Sequence, residues 1–179
     1  MRMAGRLGAL LVLMLEVSLV VAQSNLPVPA REEDVFNEAK VSYPAFPAAK
    51  SLLQFPTDWT SNAIFVDRDT LTVGGDGVVR FALVVRSPSG AENVSFEGLR
   101  CATGERRVYA HGRRTGDVGS WVPARNSDWQ PILDRRINRY YFEFWRDVFC
   151  EGRAVEARDA ILRHVARGGK ERAVGTPSE

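Results

Sequence analysis

The chain has 179 residues, with 24 Lys and Arg against 22 Asp and Glu and a formal net charge of +2. That balance excludes any argument for nucleic-acid binding from net charge, and the arginine pairs Arg106-Arg107, Arg113-Arg114 and Arg135-Arg136 lack the interleaved aromatics of a stacking platform, so they read as solvated surface. The length suits one domain with a real core, plus tails.

The chain opens "MRMAGRLGALLVLMLEVSLVVAQS", with basic residues at Arg2 and Arg6, an apolar run and then small residues at Ala22 and Ser24. This is the layout of a secretory signal peptide over residues 1–22, cleaved after Ala22. The run is short and broken by Glu16, so a retained N-terminal anchor is the weaker alternative. Export to an oxidising compartment lets thiols pair, and with only Cys101 and Cys150 present a single intramolecular disulfide is expected. The expected location is the periplasm, with peripheral membrane association as the variant.

Residues 23–60 form a proline-rich lead-in segment, with Pro27, Pro29, Pro44, Pro47 and Pro56 each removing a backbone donor. A short helix around Glu33 to Ala39 is expected there, followed by an extended strap that lays Phe46, Leu52, Leu53 and Phe55 on the domain. From Asn62 the apolar residues recur with period two, the mark of half-buried strands. "AIFVD" and "TLTV" give two strands, Gly74-Gly75-Asp76-Gly77 a turn, and Val78 to Arg86 a third strand with Val79, Phe81, Leu83 and Val85 on one face. "SPSGA" then turns the chain into a strand from Asn93 to Cys101, making a β-hairpin. "ERRVYAHG" reads as a further strand in which Val108 and Ala110 share a face against Tyr109. A loop with Gly112, Gly116 and Gly119 leads on through Trp121 and Trp129.

In "ILDRRINRYYFEFWRDVFC" the residues Ile137, Tyr141, Phe144 and Val148 recur at helical spacing. This stripe is expected to cover the apolar face of the strands. The fold class is therefore α+β: an antiparallel meander of about five strands packed against one main C-terminal helix and fastened by Cys101 and Cys150. The domain spans residues 61–151. Beyond it, over 152–179, Val155, Ile161, Leu162 and Val165 mark an amphipathic helix stopped by Gly168-Gly169, with a disordered tail from 170. A membrane-surface role for that helix is the alternative to a peripheral helix.

The run "FVDRDTLTVGGDGVVRFALVVRSPSGAENVSFEGLRCATGERRVYAHGR", followed by Trp121 and Trp129, resembles the CNP1-like family of small exported proteins from Gram-negative proteobacteria. The similarity covers roughly residues 55 to 151. The resemblance implies an exported envelope location and a shared fold, and it transfers no catalytic residues.

Among reactive groups, Ser95 lacks the Gly-x-Ser-x-Gly turn of an exposed nucleophile. Glu97 shares its strand face, and His111 approaches if the two strands pair. A hydrolase using Glu97 and His111, with Ser95, is thus the alternative to a non-catalytic envelope protein with a binding or structural role, and the preferred explanation of these residues is cross-strand pairing of Glu97 with Arg80 or Arg107. Asp67, Asp69 and Asp76 lack the spacing of a calcium loop, and neither metal ligands nor a cofactor motif are recognisable. The candidate binding surface comprises Arg80, Glu97, Tyr109, His111, Trp121 and Trp129, facing another envelope protein or cell-wall component.

Overall fold

The computed structural model describes residues 36–132 and 139–170. The signal segment, Ile137 and residues 171–179 lie outside them. The alternating runs form the sheet they predict, with more strands than expected. A 3-10 turn, Ala49–Ser51, leads into β1 (Leu52–Phe55), then β2 (Ala63–Asp67), β3 (Thr72–Val73), β4 (Val78–Arg86), β5 (Glu92–Arg100), β6 (Glu105–Thr115), β7 (Val118–Pro123) and β8 (Gln130–Pro131). These make one eight-stranded antiparallel sheet in the order β1-β2-β4-β5-β6-β7, with β3 beside β4 and β8 beside β6. Helix α1 (Arg139–Glu143) runs into a π-helical turn, Phe144–Phe149, followed by the short hairpin of β9 (Cys150–Glu151) and β10 (Ala154–Val155) and by α2 (Arg158–Arg167).

The additional strands come from two stretches whose sequence hides them. Leu52–Phe55, expected as part of the strap, is the edge strand β1 paired with β2. The expected loop through Gly112 and Gly119 is instead the β6–β7 hairpin, turning at Gly116 with a φ of +58°, a left-handed conformation that costs glycine little. Phe36 to Ala39 are not helical, contrary to the expected short helix. Val155 lies in β10 rather than in the last helix, and Lys170 is fixed by ion pairs to Glu151 and Glu156 rather than starting a loose tail.

β2 and β3 pair with the same edge of β4 and leave the N–H of Ala82 between them. The buried Thr70 hydroxyl accepts it at 2.9 Å, so the ladder has no orphan donor there. Between β5 and β6 the register moves from Phe96↔Ala110 to Glu97↔Val108, which makes Tyr109 the extra residue of a β-bulge. Val108 and Ala110 therefore lie on opposite faces, not on the shared face that simple alternation predicts.

Both faces of the sheet are covered. On one, Phe55, Ile64, Val66, Val79, Phe81, Leu83 and Leu99 pack against Tyr141, Phe144, Val148 and Phe149 and against Ile161 and Val165 of α2. The π-helical turn brings residues five apart into line: Phe144 and Phe149 stack at 5.1 Å, with Phe81 edge-on to Phe149 at 4.8 Å. The Cys101–Cys150 disulfide closes this layer, joining the end of β5 to the end of the π-helical turn. The stripe of α2 is consumed in this core rather than left for a membrane. On the opposite face, residues 36–46 lie across β5, β6 and β7, where Val41 and Trp121 pack on Phe96, Tyr109 and Ala110. Phe46 sits where two side chains are missing: a Cβ on Gly119 would lie 2.1 Å from its ring, and one on Gly112 would lie 2.9 Å from it.

Two outcomes follow for stability. Replacing both cysteines by serine removes a cross-link spanning 49 residues and lowers the unfolding free energy by about 4 kcal/mol in the chain-entropy model, measurable by urea titration. Gly119→Ala displaces the Phe46 ring, costing roughly 1–3 kcal/mol as overpacking does, and hydrogen exchange is expected to rise selectively over residues 41–46.

Candidate functional site

Glu97 points from β5 toward the helix side, because it is register partner to Phe81 and shares that face. Only 2% of it is exposed. One carboxyl oxygen, Oε1, accepts hydrogen bonds from the Ser95 hydroxyl at 2.5 Å and the Tyr141 hydroxyl at 2.8 Å. The other, Oε2, is buried and has no hydrogen-bond partner. Burial pushes this carboxyl up, and the two hydroxyls and the nearby Arg106 charge offset that only in part, so the fold favours the neutral acid.

Glu97 lines a cavity of about 440 Å³ between β4, β5, β6 and α1, together with Ser95, Arg106, His111, Tyr140 and Tyr141. Arg106 lies with its guanidinium 4.3 Å from the Tyr141 ring centre. No carboxylate among the described residues forms an ion pair with it. Burial, reinforced by the Glu97 charge, pushes the Tyr140 hydroxyl up to about 12, so it keeps its proton. His111 is exposed on the rim and is the register partner of Ser95.

The strap face holds a second polar cluster. Arg80, 8% exposed, makes a two-pronged contact with Asp76 at 3.1 and 2.6 Å. Burial would raise the Asp76 carboxyl, but the bonds from Arg80 and from the Ala39 and Val78 N–H groups, with the Arg80 charge, outweigh it and hold it at about 2. Glu38 of the strap accepts from Arg107 at 2.5 Å, Tyr109 at 2.6 Å and Trp129 at 3.2 Å, and lies 3.6 Å from Arg80. This cluster is a clamp that holds the strap down.

The six candidate surface residues thus fall on two faces. Glu97 and His111 meet at the cavity, whereas Arg80, Tyr109, Trp121 and Trp129 belong to the strap side. The expected pairing of Glu97 with Arg80 or Arg107 is replaced by Arg80–Asp76 and Arg107–Glu38. Trp121, Trp129 and Trp145 are half-buried anchors, donating to the Pro44 carbonyl, the Glu38 carboxylate and the Cys101 carbonyl. Asp67, the buried last residue of β2, accepts the Asp69 N–H, and no metal-binding cluster occurs among the described residues. Sequence reasoning missed Glu38, Arg106, Tyr140 and Tyr141. For Tyr141 the helical stripe was the signal; for Arg106 and Glu38 no local pattern distinguishes them from other surface charges.

A family model for the CNP1-like family matches residues 31–165, so it takes in the strap and most of α2. The chain belongs to the CNP1-like family. It is also similar to Cryptic neisserial protein 1 of Neisseria gonorrhoeae (strain ATCC 700825 / FA 1090), with 26% identity over an alignment that covers 92% of this chain and 95% of that protein. No solved structure matches it. No helix among the described residues of this CNP1-like protein is long and apolar enough to cross a membrane.

A carboxyl raised in the fold favours the native state at low pH and loses that advantage as pH climbs from the ordinary carboxylate range through the raised value. Glu97→Gln is neutral at every pH. It is expected to raise the unfolding temperature relative to wild type at pH 8 and to leave it nearly unchanged below pH 4, as calorimetry across that range would show.

Proposed function

We propose that this CNP1-like protein is a non-catalytic, exported binding protein of the cell envelope, acting in the periplasm through the cavity beneath α1. The carrying observation is Glu97, a buried carboxyl that lines that cavity and whose Oε2 has no hydrogen-bond partner. A buried polar atom left unpaired costs about 1–3 kcal/mol, a cost with no structural return here. The basic-then-apolar N-terminus and the paired cysteines support export.

The hydrolytic alternative has one observation in its favour, since Ser95, Glu97 and His111 all line the cavity. One other weighs against it. His111 makes no hydrogen bond to Ser95 among the described residues, so no nucleophile–base pair is assembled.

A thermal-shift screen of small polar metabolites on the oxidised protein tests this reading. Compounds that raise the wild-type midpoint, but not that of Ser95→Phe with its filled cavity or of Glu97→Ala, are expected. Finding none would overturn the binding role, and ester or amide turnover abolished by Ser95→Ala would replace it with hydrolysis.

A further inference from the structure

β7 ends the sheet: it pairs with β6 on one side and, among the described residues, with no strand on the other. In an antiparallel ladder the N–H groups of alternate residues point the same way. The Ala124 N–H points inward, to the Tyr109 carbonyl, so those of Val122 and Ser120 do too, and those of Gly119 and Trp121 point outward from the sheet. An open row of this kind is a template for a further strand, which natural edges commonly discourage with charges on the strand itself. The six residues of β7, VGSWVP, carry no charge. Val118, Ser120 and Val122 share the face of His111 and Arg113. On that face Val118 is 71% and Val122 38% exposed, and neither reaches the helix-side core. The charge absent from β7 stands one strand behind it, where Arg113 is register partner of Ser120 and His111 of Val122. Both line, with Arg125, a surface cavity of about 500 Å³ to which no carboxylate contributes. No carboxylate among the described residues pairs with Arg113 or Arg125.

We propose that β7 is a docking edge for an extended acidic segment of a partner protein, which adds antiparallel to it with a carboxylate opposite Ser120 and apolar residues opposite Val118 and Val122. In strand addition the main chain supplies affinity and alternate side chains supply specificity. A residue opposite Ser120 lies about 10 Å from Arg113, two strand spacings away, and the short Ser120 side chain between them leaves the guanidinium free to cross to the carboxylate. Charge also decides against a second copy of this chain. β7 paired with itself about Ser120 would set Val118 against Val122, but it would aim the Arg113 side chains of both copies at each other over two serines with no anion between them. A basic segment would meet the same arginine as a like charge. This surface is separate from the cavity beneath α1, and the inference does not rest on the reading proposed above.

The probe is the blocked peptide acetyl-TVTETVT-amide, titrated at low ionic strength into the full oxidised protein and followed by NMR of the backbone amides. The Gly119 and Trp121 amides are expected to exchange rapidly with solvent in the free protein and to be shifted and protected by the peptide. Replacing the central glutamate by glutamine should weaken binding about two- to fivefold, the range of an exposed ion pair, and Arg113→Gln should remove that difference while leaving the glutamine peptide's affinity unchanged. N-methylation of the two threonines beside the glutamate, whose N–H groups face β7 in this register, should abolish binding. No binding by the glutamate peptide, equal binding by its N-methylated form, or a preference for lysine at the central place overturns the inference. Gly119 and Trp121 amides already protected in the free protein overturn it as well: sedimentation as a dimer would then assign the edge to a second copy, and sedimentation as a monomer would show that the chain covers its own edge.

Discussion

Seven consecutive residues of β4, from Val78 to Val84, are buried. A strand with both faces dry needs two covers, and this chain has only segments before and after its sheet to provide them. The aromatic π-helical turn and α2 cover the Phe81 side, and the strap before β1 covers the Arg80 side. The two covers are held by different physics. The first is apolar, with Phe81, Phe144 and Phe149 in contact and a disulfide at its margin. The second combines aromatic contacts, Tyr43 on Phe96 and Phe46 on Trp121, with an ionic clamp of Glu38 and Asp76 on Arg80 and Arg107.

That asymmetry explains why the two buried polar clusters behave differently. On the strap side each charge meets an opposite one, with Arg80 held by Asp76 and Glu38 receiving three donors. A buried pair of this kind adds little net stability, but losing one member strands the other at a cost of about 3–5 kcal/mol. The arrangement therefore fixes where the strap lies more than how firmly the protein folds. On the helix side Glu97 meets hydroxyls and no bonded cation, although Arg106 is near enough to act on its charge. A fold that only needed to fill this space would have an apolar residue there, as Phe81 and Leu99 show at neighbouring positions on the same face.

Much of the fold was legible because its signals are local. The Val78–Arg86 strand, the hairpin through Ser87–Gly90 and the pairing of Cys101 with Cys150 follow from alternation, turn chemistry and the scarcity of cysteine. β1 and β7 were not legible, since Leu52-Leu53 breaks period two and β7 carries Gly119 and Pro123. Gly112 and Gly119 look like loop residues but serve as the seat of Phe46, a role visible only once a segment about 70 residues away lies over them. For the site, strand parity put Ser95 and Glu97 on one face and strand pairing brought His111 beside them, yet the burial of Glu97 was not legible. Both faces of β5 are covered, with Val94 and Phe96 buried on one and Glu97 on the other.

The bulge at Tyr109 connects the two faces in a way that no pattern of alternation contains. Arg106 and Val108 face the helix side by ordinary parity, and that parity would send His111 to the strap side. The extra residue reverses it. His111 then comes opposite Ser95 at the cavity rim, while Tyr109 turns its hydroxyl to Glu38 and its neighbour Ala110 packs under Phe96. The backbone distorted by the bulge is paid for locally: the Tyr109 carbonyl accepts the Ala124 N–H at 3.0 Å and the Val108 carbonyl accepts the Ser127 hydroxyl at 2.7 Å. One inserted residue thus places the rim of the cavity and the anchor of the strap together, so a change in how the strap is held at Glu38 acts on the same short stretch of β6 that presents His111 to the cavity.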